Sequence, residues 1–311
     1  MVSSALLDAL RAVTSFTPPA ALPPCDLDLL ADVLEAHGLA PLASYQVENT
    51  RLGAGLPTGF RERLLGHYQG VANDNVLKFV TLRGLLRDAA DVPVVLLEAA
   101  AYVDWLYPHL AFRPVDELRL AVRGEDGARL AAAVAPAFKV ERTEHGGRTA
   151  VLSDGRLSVT LQEGLWPGGP LDEGLFERAI PRPVFGPKAG RPSLEDALLA
   201  TVADQAQLGL FAPLVTFVDL RELVALSPDA EQVKARAAAL GLSRALRGAL
   251  ELVVHFFPAV AAGAAALQPE LSFAERAAVD GVVEAARDPA RLRHLRGVDA
   301  VARRVVAPQS T

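Results

Sequence analysis

VPVVLLEAAAYVDWLYPHLAFRPVDELRLAVRGEDGARL, residues 92–130, is the stretch whose reading decides the fold. Residues 92–97 form a short apolar run rich in β-branched side chains, which predicts a buried strand. Residues 99–107 turn to helical composition and meet Pro108, which cannot continue a helix. Residues 117–122 alternate polar and apolar, the pattern of a second strand. Residues 125–138 then read as a helix. Two strands and two helices in this order place the start of a sheet in the middle of the chain.

Outward from that stretch the period changes on both sides. Upstream, residues 1–16 predict a short helix and the prolines of 17–24 a linker. From Asp26 a helical period carries Leu27, Leu30, Val33 and Leu34 on one face, with a glycine stop after His37. A second helix is expected near 41–52 and a long one over 58–88. Downstream, residues 139–144 and 149–154 predict hairpin arms around His145-Gly146-Gly147, and 156–162 alternates as another strand. Residues 164–192 are rich in Gly and Pro and predict little regular structure. Ser193 begins SLED, close to a capping box, and the chain reads as helix from there to about residue 305. The expectation is an α+β chain, mostly helical. Its small mixed sheet of four or five strands, from residues 92–162, lies between N-terminal and C-terminal helical layers. The segments are 1–25, 26–91, 92–192 and 193–311.

Composition narrows the function classes. Of 311 residues, 51% are hydrophobic and 22% charged, so a large core can form. The net charge of −6 gives no electrostatic footprint for nucleic acid or an anionic membrane. The longest apolar stretch, 249–267, carries Glu251, His255 and Pro258 and reads as a buried helix broken at the proline, not a membrane span. The N-terminus lacks the basic region of a secretory leader. A single cysteine, Cys25, excludes an intrachain disulfide and fits a reduced, cytoplasmic setting. No glycine-rich phosphate loop, metal-binding His pair or serine elbow is present.

The order of blocks is more informative. VPVVLLEAAAY, LYPHLAFRP and VDELRLAV resemble, in register, three blocks of the uncharacterised nucleotidyltransferase family within the polymerase-β-like superfamily. EDALLATVADQAQ (195–207) and FVDLRELV (217–224) resemble its later helices, and the likeness covers about residues 26–265. The resemblance implies a nucleotidyltransferase core, and it also marks departures. The family's lysine-glycine pair falls on Glu98-Ala99. Its two metal-binding aspartates fall on Glu117 and Arg119. Its third acidic position falls on Thr160, and the histidine that follows on Gln162. An arginine before the acidic motif matches Arg113, with a phosphate contact or a brace for the strand as its two readings.

Nucleotidyl transfer uses two Mg²⁺ ions held by clustered carboxylates. Mg²⁺ demands hard oxygen ligands in near-octahedral geometry. Alternation puts Glu117 and Arg119 on one face of the strand, where a guanidinium brings permanent positive charge to a cation site. Ala99 adds a methyl group where glycine allows close approach. The expectation is a degenerate member of the family. It is catalytically impaired, holds no metal, and acts as a binding, regulatory or scaffold module for a protein partner or a nucleotide-like ligand. Arg119 is expected to pair with Glu117 or another nearby carboxylate. The alternative is an active Mg²⁺-dependent transferase with rearranged acidic ligands. Trp105, Tyr107 and Phe112 read as core packing, with a base-stacking or partner surface as the other reading, and Asp204 and Asp219 as surface or capping groups on later helices.

Overall fold

The computed structural model describes residues 4–288 and 298–308. Four helices come first: α1 (Ser4–Thr14), α2 (Leu27–Ala36), α3 (Ala40–Asn49) and α4 (Thr58–Asp88). Asp26 starts α2, its carboxylate accepting from the amides of Asp28 and Leu29. At 31 residues, α4 extends roughly 45 Å at 1.5 Å per residue.

The central region supplies β1 (Val94–Leu97), α5 (Ala99–Tyr102), β2 (Leu118–Ala121), α6 (Gly124–Val134), β3 (Lys139–Glu144), β4 (Thr149–Ser153) and β5 (Ser158–Gln162). Then come α7 (Glu173–Arg178), β6 (Ile180–Pro181) and β7 (Ala189–Arg191). The seven strands form one mixed sheet in the order β3-β4-β5-β2-β1-β7-β6. β1 runs antiparallel to β2 and parallel to β7, while β2 runs parallel to β5. Every residue of β1 is buried, as its continuous VVLL composition requires of a strand covered on both faces.

Two expectations are corrected here. Residues 164–192 are not merely irregular, since they contribute α7, β6 and β7 and extend the sheet beyond residues 92–162. The short pair β6–β7 sits at the sheet edge, where Pro181 is tolerated because few ladder bonds are needed. The helix expected over 99–107 is only one turn long, and turns occupy the residues up to Pro108.

The C-terminal layer comprises α8 (Leu194–Gln207), α9 (Leu214–Ala225), α10 (Ala230–Ala239), α11 (Ser243–Phe256), α12 (Ala261–Ala266), α13 (Phe273–Ala286) and α14 (Val298–Val306). Ser193 caps α8 by accepting from the Asp196 amide. Asp196 itself is fully buried and ion-paired to Arg178 and Arg236, tying α8 to α7 and α10. No helix among the described residues is long and apolar enough to cross a membrane.

One clamp positions the cleft. Asn75, buried on α4, donates to the carbonyls of Leu110 (2.6 Å) and Arg113 (2.9 Å) and accepts from the Val115 amide (3.2 Å). All three contacts fall on the segment leading into β2, so α4 fixes the phase in which that strand enters the sheet.

Candidate functional site

A cleft of about 420 Å³ opens where β1 and β2 meet α2, α4, α8 and α9. Its walls include Glu98, Ala99, Arg113, Asp116, Glu117, Arg119 and Asp204. Leu118 and Leu120 are fully buried behind β2, so the intervening residues face the cleft.

At the end of β1 the chain makes a sharp strand-to-helix elbow. Glu98 takes φ 50° and ψ −134°, a conformation that favours glycine, and starts α5. Strain of this kind costs on the order of 1–3 kcal/mol and gathers at functional sites. It aims the Glu98 carboxylate at Arg119, which donates from Nη1 to Glu98 Oε1 at 2.5 Å. The same Nη1 donates to Asp204 Oδ1 at 2.7 Å, and Nε donates to Glu117 Oε2 at 2.9 Å. Arg119 and Thr160 are register partners on parallel β2 and β5. The Thr160 hydroxyl donates to Glu117 Oε1. One guanidinium therefore holds three carboxylates, one of them braced by a hydroxyl.

The charges respond to this crowding. Burial first, and the Asp204 carboxylate second, push the Glu98 carboxyl up to about 8, against the pull of Arg119. Burial opposes the Arg119 charge, but Glu98, Asp204 and Glu117 together outweigh it and hold the guanidinium above its ordinary value. Beside this cluster lies a second buried pair. Arg113 donates from Nε to Asp219 Oδ2 at 3.0 Å, and the Tyr107 hydroxyl donates to Asp219 Oδ1 at 2.6 Å. Burial, more than any neighbour, raises the Asp219 carboxyl despite both donors.

The expected site residues thus divide. Glu98, Glu117, Arg119 and Thr160 come together, with Ala99 beside them on the cleft wall. Gln162 does not join them; it is buried and donates to the Gly164 carbonyl, outside the cleft lining. Arg113 lines the cleft with its guanidinium engaged by Asp219, the geometry of a brace. The surface or capping roles expected for Asp204 and Asp219 are wrong, since each holds an arginine of the cleft. Asp116, just before β2, also lines the cleft. Tyr107 and Phe112 are core residues, whereas Trp105 is half-buried with the Arg191 guanidinium 3.8 Å from its ring.

Sequence reasoning missed Glu35, His37 and His67 as cleft residues. Asp204 lies three residues after the buried Thr201 and four before the cleft residue Leu208, a helical spacing that shares one face.

These residues do not fit a metal pair. The carboxylates surround a guanidinium instead of converging on a common point. Among the described residues no group of three or more His, Cys, Asp or Glu side chains is placed to hold an ion.

The mixed sheet, its strand-to-helix elbow and the Glu117–Arg119 pair at the start of β2 are consistent with a nucleotidyltransferase-type core. The chain belongs to the uncharacterised nucleotidyltransferase family, whose profile matches residues 23–258. Among solved structures it is similar to the solution structure of the antibiotic-resistance factor ANT(2'')-Ia. The two share 17% identity over 53% of this chain and 91% of that one, with a TM-score of 0.40. No curated protein matches the sequence.

Proposed function

We propose that this chain is a catalytically impaired nucleotidyltransferase that serves as a binding or regulatory module in the cytoplasm, with a protein or a nucleotide-like molecule as its partner. The observation that carries this reading is the Arg119 guanidinium bonded to Glu98, Glu117 and Asp204. A cation that cannot be deprotonated stands among the oxygens that Mg²⁺ would need. The acidic lining also repels a triphosphate that arrives without metal. Calorimetric titration of Mg²⁺ in the presence of ATP is expected to show no coupled site. Micromolar binding that disappears in Glu117→Gln overturns the proposal.

One observation favours the alternative of an active enzyme with rearranged ligands: three carboxylates already gather on one cation, the Arg119 guanidinium. On that reading Arg119 swings aside and Mg²⁺ takes its place. The double variant Arg119→Asp, Thr160→Asp, which returns carboxylates to the family's positions, separates the two. Mg²⁺ binding in the variant alone supports impairment. Mg²⁺ binding and nucleotide turnover in the native chain support the alternative.

A further inference from the structure

The long α4 turns one side inward and leaves the other bare. Phe60, Leu64, Asn75, Leu82, Leu85 and Leu86 are buried, and at 3.6 residues per turn they share one face. Its helix contacts are chiefly with α2, α3 and α6. The opposite face is centred on Asn73 and carries Gly66, Gly70, Val76, Leu77 and Val80. Val76, Leu77 and Val80 are 51%, 57% and 60% exposed. A surface helix ordinarily turns charged side chains to this side. Here the charged residues of the stretch, Asp74 and Lys78, pair with each other on the flank.

The glycines point the same way. A Cβ on Gly66, Gly70 or Gly84 would meet nothing within 4 Å. Glycine inside a helix costs stability relative to alanine, and no contact among the described residues requires it at these positions. What glycines on an outward face permit is the close approach of another backbone.

Charge and shape fit a second copy of α4. Glu62 has no partner among the described residues, its neighbours Arg61 and Arg63 being turned to Glu48 and Glu35. At the other end Arg83 and Arg87 stand on the outward side, and the Arg87 side chain is 81% exposed. In an antiparallel pair with its two-fold axis at Asn73, each residue before Asn73 meets the one equally far after it. Glu62 then falls between the partner's Arg83 and Arg87. Leu77 enters the space over the partner's Gly66 and Gly70, a knob in a hole. The Asn73 amide, both donor and acceptor, meets its own copy, and a single asparagine so placed fixes register. A parallel pair would set Glu62 against Glu62 and glycine against glycine.

We propose that α4 is the interface of a homodimer, two copies packed antiparallel about Asn73. The interface does not depend on the function proposed for the Arg119 cleft.

Sedimentation velocity on the full chain, run through the micromolar range, is expected to show a monomer–dimer equilibrium. Leu77→Glu is expected to abolish the dimer in that range while circular dichroism stays unchanged. Glu62→Arg is expected to weaken it about tenfold or more, since two-fold symmetry counts the repulsion twice. Adding Arg87→Glu to Glu62→Arg is expected to restore it. Cross-links give the register, in a Cys25→Ser background because Cys25 is the single cysteine. Asn73→Cys is expected to form a disulfide dimer on oxidation. Gln69→Cys and Val76→Cys are expected to cross-link with each other when mixed, but not each with itself. Two copies of position 76 lie about 9 Å apart along an antiparallel pair, beyond the reach of a disulfide. A chain that stays monomeric through this range overturns the proposal, and so does a dimer that folded Leu77→Glu leaves intact. Self-cross-linking of Val76→Cys, or none by Asn73→Cys, refutes the antiparallel register. Failure of Arg87→Glu to restore the Glu62→Arg dimer refutes the charge pairing.

Discussion

Arg119 concentrates the chemistry of the cleft in one side chain, and its removal should be felt well beyond one lost contact. Arg119→Ala leaves Glu98, Glu117 and Asp204 facing one another without a counter-charge. Breaking a buried pair by removing one partner costs about 3–5 kcal/mol, and a loss of that order is expected in urea melts. The combination of Arg119→Met with Glu117→Gln removes a bonded partner on both sides and should be milder than Arg119→Ala. A neutral Arg119→Ala would mean the guanidinium is not needed where it sits. Glu98 gives the cluster a pH dependence. Its folded-state value, about 8, lies above the ordinary 4.5, so between them the folded chain holds a proton that the unfolded chain has released. The stability contributed by protonated Glu98 is complete below about pH 4.5 and is lost as pH rises through about 8. Glu98→Gln should flatten the fall in stability between pH 5 and 8, as denaturant melts at several pH values will show; an unchanged slope would exclude Glu98 as its source. At this scale alternation made the Glu117–Arg119 face legible. It could not reveal that Asp204, 85 residues later, completes the cluster, because that contact depends on how α8 packs.

At the scale of elements, β2 is only four residues long, too short to fix its own register. Asn75 does so from α4 through its contacts with Leu110, Arg113 and Val115. A slip of one residue would turn Arg119 into the core and Leu118 into the cleft. Asn75→Ala leaves two carbonyls and an amide without their partner, and a loss of about 3 kcal/mol is expected in thermal or urea melts. If the variant melts like the parent, the clamp is not what holds the segment. The bounds of the long α4 were readable, but its buried face was not, since Leu65, Leu77 and Val80 of the apolar spacing are exposed; β1 was readable from its β-branched run. The one-turn α5 and the β6–β7 pair were not. Ala-rich composition after Glu98 favours a longer helix until the turns that follow it intervene. Nothing local in Ile180-Pro181 or in Ala189–Arg191 marks a strand before β1 offers its free edge.

Across the whole molecule, one apolar cluster runs from Leu6 on α1 through the sheet to Val306 on α14. A continuous core makes partial unfolding expensive, so far-ultraviolet and near-ultraviolet circular dichroism should trace a single coincident transition. Two separated midpoints would divide the sheet from a helical layer. The overall order of helix, sheet and helix was legible because hydrophobic period changes twice along the chain.

Arg119 finally alters what the cleft draws from its surroundings. A divalent ion comes from a shared pool, leaves when that pool runs low, and is surrendered to any stronger chelator. A guanidinium is synthesised with the polypeptide, one per chain, and cannot be diluted away. The geometry around Glu98, Glu117 and Asp204 is therefore inherited at translation instead of being acquired afterwards. The folded shape of this cleft should stay the same in a magnesium-starved cell and a replete one.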